Sequence, residues 1–279
     1  MTIGLVLGGG GSRGLAHVGV LKVLARERIP IDLIVGTSMG GIVGVLFALG
    51  ISPDRLASEM MALQNTSIIN VKLLSARARQ RMLRELLARA LAGKTFADLE
   101  IPTTLIVVDM VSGNELGLNH GPLLPAALAT SAVPAIFPPV VIDGAVLADG
   151  GVIDSLATHA AYEQGADRVI AVDIEPSLDT SKPWQDPISA ATGFQLSLLF
   201  GGPESSRKPN MFSAMWRAYR VLSWHVHTAR LAAHQPDVLL QPDVGDYGSL
   251  DFKDIEGPLR AGEAEAEKHL AALRTLAVS

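Results

Sequence analysis

Short apolar runs alternate with amphipathic stretches along most of the chain. Runs rich in β-branched residues predict buried strands at 3–7, 31–35, 103–109, 168–173 and 238–240. Apolar residues at helical spacing predict helices at 14–28, 39–49, 53–63, 76–92, 123–130, 155–164, about 190–200, about 210–233 and 256–276. The segment 140–147 is typical of a hairpin that turns at Asp143-Gly144. This alternation predicts an α/β fold whose mainly parallel sheet has helices on both faces.

The pattern is interrupted at 175–187, which is rich in proline, serine and aspartate. Helical stretches follow, and strand 238–240 then resumes the α/β pattern. We therefore expect a single domain over 1–279 with a helical insertion at about 175–233. All three tryptophans, Trp184, Trp216 and Trp224, fall in this insertion. They fit either a satellite core or a lid with aromatic anchors at a lipid interface.

Composition narrows the classes of function. The 279 residues carry a net charge of −5, which argues against a nucleic-acid partner. The absence of cysteine excludes a cysteine nucleophile and a disulfide framework. The first residues lack the basic start of a signal peptide, so we expect a cytoplasmic protein. The uncharged stretch 34–51 is long enough to span a membrane, but its glycines, Thr37 and Ser38 favour a buried strand, turn and helix.

Four consecutive glycines follow the first strand, and the loop continues through Ser12-Arg13-Gly14. Gly9, Gly11 and Gly14 match the dinucleotide fingerprint G-x-G-x-x-G between a strand and a helix. That fingerprint also needs an acidic residue at the end of the second strand, whereas Asp32 lies at its start. A nucleotide-binding regulatory protein therefore stays as the weaker alternative, and a Walker A loop lacks its Gly-Lys-Ser/Thr.

A second motif, Gly36-Thr37-Ser38-Met39-Gly40, has the G-x-S-x-G form of a nucleophile elbow between a strand and a helix. Such a turn lifts the serine hydroxyl clear of the sheet, and the helix N-terminus behind it favours developing negative charge. The alternative is a tight turn in which Ser38 caps the helix. Because parallel strands end at one edge of a sheet, the glycine loop and Ser38 are expected side by side, as an oxyanion hole beside a serine.

No histidine follows a strand end in the position of a hydrolase base, so we predict that all seven are structural or surface residues. Asp149, followed by Gly150 and Gly151 after a predicted strand, is the better base, although an ordinary Asp-Gly turn explains the same letters. The other candidate carboxylates at strand ends or turns are Asp109, Asp143, Asp154 and Asp173.

Together these motifs resemble those of the patatin-like phospholipase family, including its neuropathy-target-esterase branch. The glycine loop, the elbow and Asp149-Gly150-Gly151 occur in the family's order, and Ser131-Ala132-Val133-Pro134 with Phe137-Pro138-Pro139 is similar to a fourth block. The resemblance covers roughly 2–173 and resumes weakly at 237–269. After Gly151 many members continue with an asparagine and a proline, whereas this chain reads Val152-Ile153-Asp154-Ser155-Leu156-Ala157.

The resemblance implies a three-layer α/β/α fold and lipid acyl hydrolysis by a Ser–Asp dyad, with no metal or cofactor. It makes Ser38 the nucleophile and Asp149 the general base, with Gly36, Gly40, Gly150 and Gly151 as support. The oxyanion loop would comprise Gly9, Gly10, Gly11, Ser12, Arg13 and Gly14. Within it the amides of Gly10, Gly11 and Ser12 are the candidate donors, and Arg13 would support the loop.

The sequence thus predicts a hydrolase of phospholipids, lysophospholipids or simpler acyl esters. Peripheral membrane contact is an open expectation, because the arginine-rich helix 76–92 fits either a solvated face or a surface that attracts anionic lipid. A catalytically silent interaction module remains the other alternative. The head group, the acyl-chain length and the oligomeric state are left open.

Overall fold

An eight-stranded mixed sheet lies at the centre of the chain in a computed structural model, which describes residues 1–64, 75–178, 180, 211–248 and 252–278. The strands are β1 (Ile3–Leu7), β2 (Leu33–Thr37), β3 (Thr103–Asp109), β4 (Glu115–Leu118), β5 (Val140–Ile142), β6 (Ala145–Asp149), β7 (Arg168–Val172) and β8 (Val238–Leu240). Their order is β5-β6-β3-β2-β1-β7-β8, and β4 also pairs with β3. β1, β2, β3, β7 and β8 are mutually parallel, whereas β4, β5 and β6 join through antiparallel pairings.

Helices surround this sheet. They are α1 (Leu15–Arg26), α2 (Met39–Ala48), α3 (Pro53–Gln64), α4 (Ala76–Leu91), α5 (Leu123–Thr130), α6 (Thr158–Glu163), α7 (Met211–Ala233), α8 (Glu256–Lys268) and α9 (Leu270–Val278). Short 3-10 turns lie at Gly11–Gly14, Phe96–Asp98 and Gly150–Val152.

Both faces of the sheet are covered, which explains why β1 and β2 read as continuous apolar runs. Side chains alternate across a strand, so Leu5 and Leu7 join one core cluster while Val6 joins another. The first cluster packs the sheet against helices that include α1, α2 and α5, and the second packs it against α6. The result is a three-layer α/β/α arrangement.

The predicted fold class is confirmed, with differences of detail. Strand β2 begins at Leu33 rather than at 31, and helix α6 begins at Thr158 rather than at 155. Strand β4 was not predicted, because only four residues separate turns on either side and they alternate weakly in polarity. The second hairpin strand continues to Asp149 rather than ending at 147. The closing helix is broken at His269 into α8 and α9.

Two other expectations concern the uncharged stretch 34–51 and the predicted helical insertion. The uncharged stretch 34–51 forms the end of β2 and helix α2, and no helix in the described ranges has the length and apolar character needed to cross a bilayer. The helix predicted at about 190–200 and Trp184 lie outside the described residues. Strand β8 pairs in parallel with β7, so the chain between them leaves and rejoins one sheet.

Candidate active site

Ser38 occupies the sharp turn between β2 and α2. Its backbone has φ 55° and ψ −124°, a left-handed conformation that a non-glycine residue rarely adopts. Helix α2 begins at the next residue, and the Ser38 side chain makes no capping hydrogen bond to it. The reading of Ser38 as a mere helix cap is therefore wrong, and its hydroxyl is left for another role.

The glycines of the elbow allow the chain to pass close to itself. A β-carbon at Gly40 would overlap the carbonyl oxygen of Leu7 in β1. One at Gly36 would lie 2.7 Å from the Gly41 nitrogen. Since these neighbours are backbone atoms, no side-chain adjustment could relieve the overlap. Both glycines are thus steric requirements of the turn that presents Ser38.

Thr130, the last residue of α5, fixes the elbow from the other side. Its Oγ1 accepts a hydrogen bond from the Ser38 backbone N–H at 2.9 Å and donates one to the carbonyl of Ile106 at 2.7 Å. The threonine thereby links the turn at Ser38 to strand β3. Because all of these groups are buried, the hydrogen bonds hold Ser38 in its strained conformation against relaxation.

The glycine loop lies directly against Ser38. A β-carbon on Gly9 would be 3.3 Å from the Ser38 β-carbon, and one on Gly14 would overlap the Met39 side chain. Gly8 and Gly9 donate their N–H groups to Val172 and Ser155, at 3.0 and 2.9 Å. The amides further along the loop, at Gly10, Gly11 and Ser12, are the remaining candidates for binding an anion, and Gly11 has a positive φ of 62°.

Two buried side chains, Arg13 and His17, contact backbone carbonyls of this loop. Arg13 donates from Nε to the Gly10 carbonyl at 3.1 Å, and burial lowers the pKa of its guanidinium to about 10, an effect that the nearby Glu175 opposes. His17 contacts the Gly8 carbonyl through Nε2 at 2.8 Å. Burial lowers the pKa of His17 to about 4, so its imidazole is neutral at pH 7 and its Nε2–H is the donor. His17 is thus structural, as predicted for the histidines.

The strand pairings of the sheet bring Asp149 close to Ser38. Thr37 of β2 pairs with Ile106 of β3, and Asp149 at the end of β6 pairs with the next residue, Val107. The block that includes Ser131 also contributes, because the Asp149 N–H donates to the Ala132 carbonyl at 3.1 Å. Two residues more than 100 positions apart therefore meet at one point on β3.

The Asp149 carboxylate is only 3% exposed. Its Oδ1 accepts a hydrogen bond at 2.8 Å from the N–H of Gly151, in the glycine turn that follows it. Its Oδ2 has no hydrogen-bond partner among the described residues, although the Ser38 hydroxyl is near enough to lower the carboxyl pKa. The two side chains are therefore adjacent, but no hydrogen bond joins the Ser38 hydroxyl to Asp149 Oδ2.

The environment of Asp149 brings the pKa of its carboxyl close to neutral pH. Burial raises the pKa of its carboxyl to about 7, and the Ser38 and Gly151 hydrogen-bond groups oppose that rise. The negative charge of Glu175 raises it further. A carboxylate with a pKa near the working pH is suited to accept and return a proton.

Helix α7 covers this region with a polar face. Arg220 donates to the Glu175 carboxylate at 2.6 Å, and one turn later Ser223 contacts the Gly151 carbonyl at 3.5 Å. Burial raises the pKa of the Tyr219 hydroxyl on this helix, and the charges of Asp149 and Glu175 raise it further. Trp216 packs on Tyr219 and stays partly exposed, so it fills no core in the described part of the chain.

The rival carboxylates serve other contacts. Asp109 accepts from Val111 and Ser112 in the turn after β3, and Asp143 forms the β5–β6 turn with a φ of 50°. Asp173 pairs with His227 at 3.2 Å. The Asp32 carboxylate accepts a hydrogen bond from the Ile3 N–H at the start of β1. Asp32 therefore lies at the opposite edge of the sheet from the glycine loop, where it is not placed to bind the ribose of a nucleotide held by that loop.

One group of side chains has the composition of a metal site. Glu115, Asp154 and His159 bring potential ligand atoms within 4.8 Å of one another. Arg230 donates to both carboxylates at 2.8 Å, so a guanidinium already supplies the opposing charge. Through Arg230, Asp154 ties the turn after Asp149 to helix α7.

The fold and the site define an α/β protein with a serine elbow, a glycine loop and a buried aspartate at one sheet edge. A family model described as patatin-like phospholipase matches residues 5–162. The chain belongs to this family. It is also 29% identical over 277 residues to an uncharacterised NTE family protein of Mycobacterium tuberculosis, a match that covers 97% of this chain and 47% of that protein.

Two further similarities agree with this membership. A lysophospholipase NTE1 of Debaryomyces hansenii is 30% identical over 285 residues, covering 96% of this chain and 18% of the yeast protein. The chain thus spans about half the length of its bacterial relatives and much less of this one. The crystal structure of VipD from Legionella pneumophila shares the fold, with a TM-score of 0.56 at 14% identity over 98% of this chain and 67% of VipD.

Sequence reasoning missed the residues that position the site. Thr130 was visible only as the residue before the Ser-Ala-Val-Pro block, and Ser155 only as part of the segment after Asp149. No sequence motif marks Glu175, Tyr219 or Arg220. All three follow β7 in the chain, and only the fold brings them near the site.

Proposed function

We propose that this protein is a serine acyl hydrolase that cleaves carboxylic esters of lipids through a Ser38–Asp149 dyad. The observation that carries the proposal is the buried Asp149 carboxylate, with an unbonded oxygen, beside a serine held in a strained elbow. Nucleophile, base and a glycine loop at one sheet edge are the parts that acyl transfer requires.

In the first half of the reaction, Ser38 Oγ attacks the carbonyl carbon of the ester while Asp149 Oδ2 takes the hydroxyl proton. The negative charge moves to the carbonyl oxygen. When this tetrahedral intermediate collapses, the ester C–O bond breaks and Asp149 gives the proton to the departing alkoxide. The products are a free alcohol and an acyl group on Ser38.

In the second half, Asp149 takes a proton from a water molecule that attacks the acyl-serine. Collapse breaks the bond to Ser38 Oγ, and the proton returns to that oxygen. The carboxylic acid leaves and the enzyme is regenerated. A pKa of about 7 suits Asp149 to both directions of transfer.

We assign stabilisation of the oxyanion to the loop amides of Gly10, Gly11 and Ser12. Gly9 allows the close approach of this loop to Ser38 instead, because its own N–H is committed to Ser155. Arg13 and His17 fix the carbonyls of the loop, so the amides are oriented before the charge develops.

Lipid esters are the proposed substrates, and the family supports this choice. The name of the Debaryomyces hansenii relative favours a lysophospholipid over a diacyl lipid, although this chain matches only a fraction of that protein. Peripheral contact with a membrane belongs to the same proposal, because such substrates reside in or near a bilayer.

The test is hydrolysis of p-nitrophenyl esters and of a panel of phospholipids and lysophospholipids. Ser38→Ala and Asp149→Asn should fold normally and each lose ester hydrolysis. Ser112→Ala, an exposed serine in the β3–β4 turn, serves as the matched control and should retain it. Full activity in Ser38→Ala would contradict the mechanism.

A further inference from the structure

Three large apolar side chains are exposed in strand β5 and in the turn after β3. Met110 and Val111, directly after β3, are 51% and 81% exposed, and Val141 in β5 is 66% exposed. Single exposed apolar residues are ordinary, but a cluster of them marks an interaction surface.

Backbone pairing places Met110 and Val141 on the two sides of Val146 in β6, and Val111 follows Met110 in the chain. The Met110 N–H donates to the Val146 carbonyl of β6 at 2.8 Å, and Val146 pairs with Val141 across the β5–β6 hairpin. Asp149 lies three residues further along the same strand and pairs with Val107 near the end of β3. The apolar cluster therefore projects past the sheet edge that carries Ser38 and Asp149.

The arginine-rich helix α4 is attached beside this cluster. Arg79 donates from Nε and Nη2 to the Ile136 carbonyl at 3.0 and 2.7 Å, and Gln80 donates to the Pro138 carbonyl at 3.1 Å. These carbonyls immediately precede β5. The anchored first turns of α4 consequently lie next to the hairpin that carries Val141.

The outer side of α4 is strongly basic. Arg77, Arg81 and Arg84, spaced four and three residues apart, are exposed along one helical face, whereas Leu87 and Leu91 are buried. None of these three arginines forms an ion pair within the described part of the chain. The helix carries five arginines and one glutamate in a chain whose net charge is −5, so its positive charge is a local feature.

We propose that this surface docks the protein on an anionic phospholipid bilayer. The docking edge consists of the apolar Met110, Val111 and Val141 and the basic Arg77, Arg81 and Arg84. The aliphatic side chains enter the interfacial region while the arginines meet lipid phosphates. The inference rests on the proposed function, because docking here would set the sheet edge with Ser38 against the layer that holds a lipid ester.

A second apolar surface offers a direct comparison. Helix α7 exposes Met215, Leu222 and Val226, but its Arg220 and Arg230 are engaged by the carboxylates of Glu175, Glu115 and Asp154. These two arginines are thus paired with carboxylates, whereas Arg77, Arg81 and Arg84 form no ion pair with any residue that the structure describes. Charge complementarity therefore selects the docking edge as the side that meets an anionic bilayer.

The experiment is vesicle co-sedimentation of the full chain with Ser38→Ala, which keeps the lipid intact during the measurement. Vesicles of phosphatidylcholine alone are compared with vesicles that also contain phosphatidylserine. We expect stronger binding to the anionic vesicles, weakened by salt. The triple change Arg77→Gln, Arg81→Gln, Arg84→Gln should reduce partitioning to anionic vesicles by at least about tenfold and remove most of the salt dependence. Val111→Ser with Val141→Ser should weaken binding to both vesicle types.

Matched controls separate this edge from the rest of the surface. Arg55→Gln, Arg168→Gln and Arg260→Gln remove three exposed arginines elsewhere, and Met215→Ser with Leu222→Ser alters α7; all should bind as the parent does. Failure of the parent to bind anionic vesicles, or loss of binding only in the α7 variant, would overturn the proposal. With Ser38 restored, the docking-edge variants should hydrolyse a soluble short-chain ester at the parental rate, so a failure of docking and a failure of the esterase proposal are read out separately.

Discussion

The Asp149 carboxylate lies beside the Ser38 hydroxyl with its Oδ2 unbonded among the described residues, while its Oδ1 is fixed by the Gly151 N–H. One oxygen is thus held and the other is available. Burial makes ionisation of this carboxyl unfavourable, and that cost is what brings its pKa to about 7.

The first prediction concerns the pH dependence of catalysis. Asp149 acts as a base only when ionised, so kcat/KM for a soluble ester should fall with a slope of one proton as pH decreases through about 7. The measurement is kcat/KM from pH 5 to 9. A profile that stays flat across this range would contradict the assignment of Asp149 as the base.

The second prediction is that Glu175 sets the pH at which kcat/KM falls on the acidic side of the profile, its acidic limb. Its negative charge raises the pKa of Asp149 and is balanced by Arg220. Glu175→Gln removes the charge and leaves the positive Arg13 and Arg220 nearby, so the acidic limb should move to lower pH. Glu163→Gln, an exposed carboxylate on α6, is the control and should leave the profile in place. A limb that moves upward in Glu175→Gln would contradict the electrostatic account.

The ionisation of Asp149 should also lower the free energy of unfolding at high pH. Because its folded-state pKa is raised above the unfolded value, the native state binds the extra proton, and stability falls as pH rises from about 4 to about 7. Asp149→Asn should therefore gain little at pH 4 and roughly 1–4 kcal/mol in free energy of unfolding at pH 8. Denaturant unfolding of both proteins at these two pH values measures the difference. An equal effect at both would show that Asp149 is not a buried ionised group.

Thr130 should act on Ser38 without touching the reacting atoms. Thr130→Val keeps the shape of the side chain but removes the acceptor for the Ser38 N–H and the donor to Ile106. We expect a loss of about 1–3 kcal/mol in stability and a fall in kcat larger than any rise in KM. Thr130→Ser retains the hydroxyl and should restore most of the kcat. Equal kinetics in the valine and serine variants would show that the hydrogen bond does not position the nucleophile.

Local patterns were sufficient to predict most of the architecture. Buried parallel strands such as β1 and β3 read as apolar runs, and helices such as α5 had their bounds predicted to the residue. Gly36 and Gly40 could be recognised because backbone atoms approach where their side chains would be. The constraint on Gly36 comes from Gly41 in the same turn, whereas the constraint on Gly40 comes from Leu7 of β1, but both glycines belong to one short motif.

What could not be predicted depends on contacts between distant segments. The meeting of Ser38 and Asp149 follows from adjacent pairings on β3, and from the residues alone Asp149 could not be separated from an ordinary Asp-Gly turn. The residue that lifts its carboxyl pKa beyond the effect of burial, Glu175, arrives from the segment after β7. No periodicity reports which carboxylate will be left with an unbonded oxygen.

The most direct test of the Ser38–Asp149 account is covalent labelling by a fluorophosphonate, followed by peptide mass spectrometry. We predict one adduct, on Ser38, that is absent in Ser38→Ala and forms at least about 100-fold more slowly in Asp149→Asn, since the serine then lacks its base. An adduct on another serine, such as Ser12, Ser131 or Ser155, or labelling of Asp149→Asn at the parental rate, would contradict the dyad.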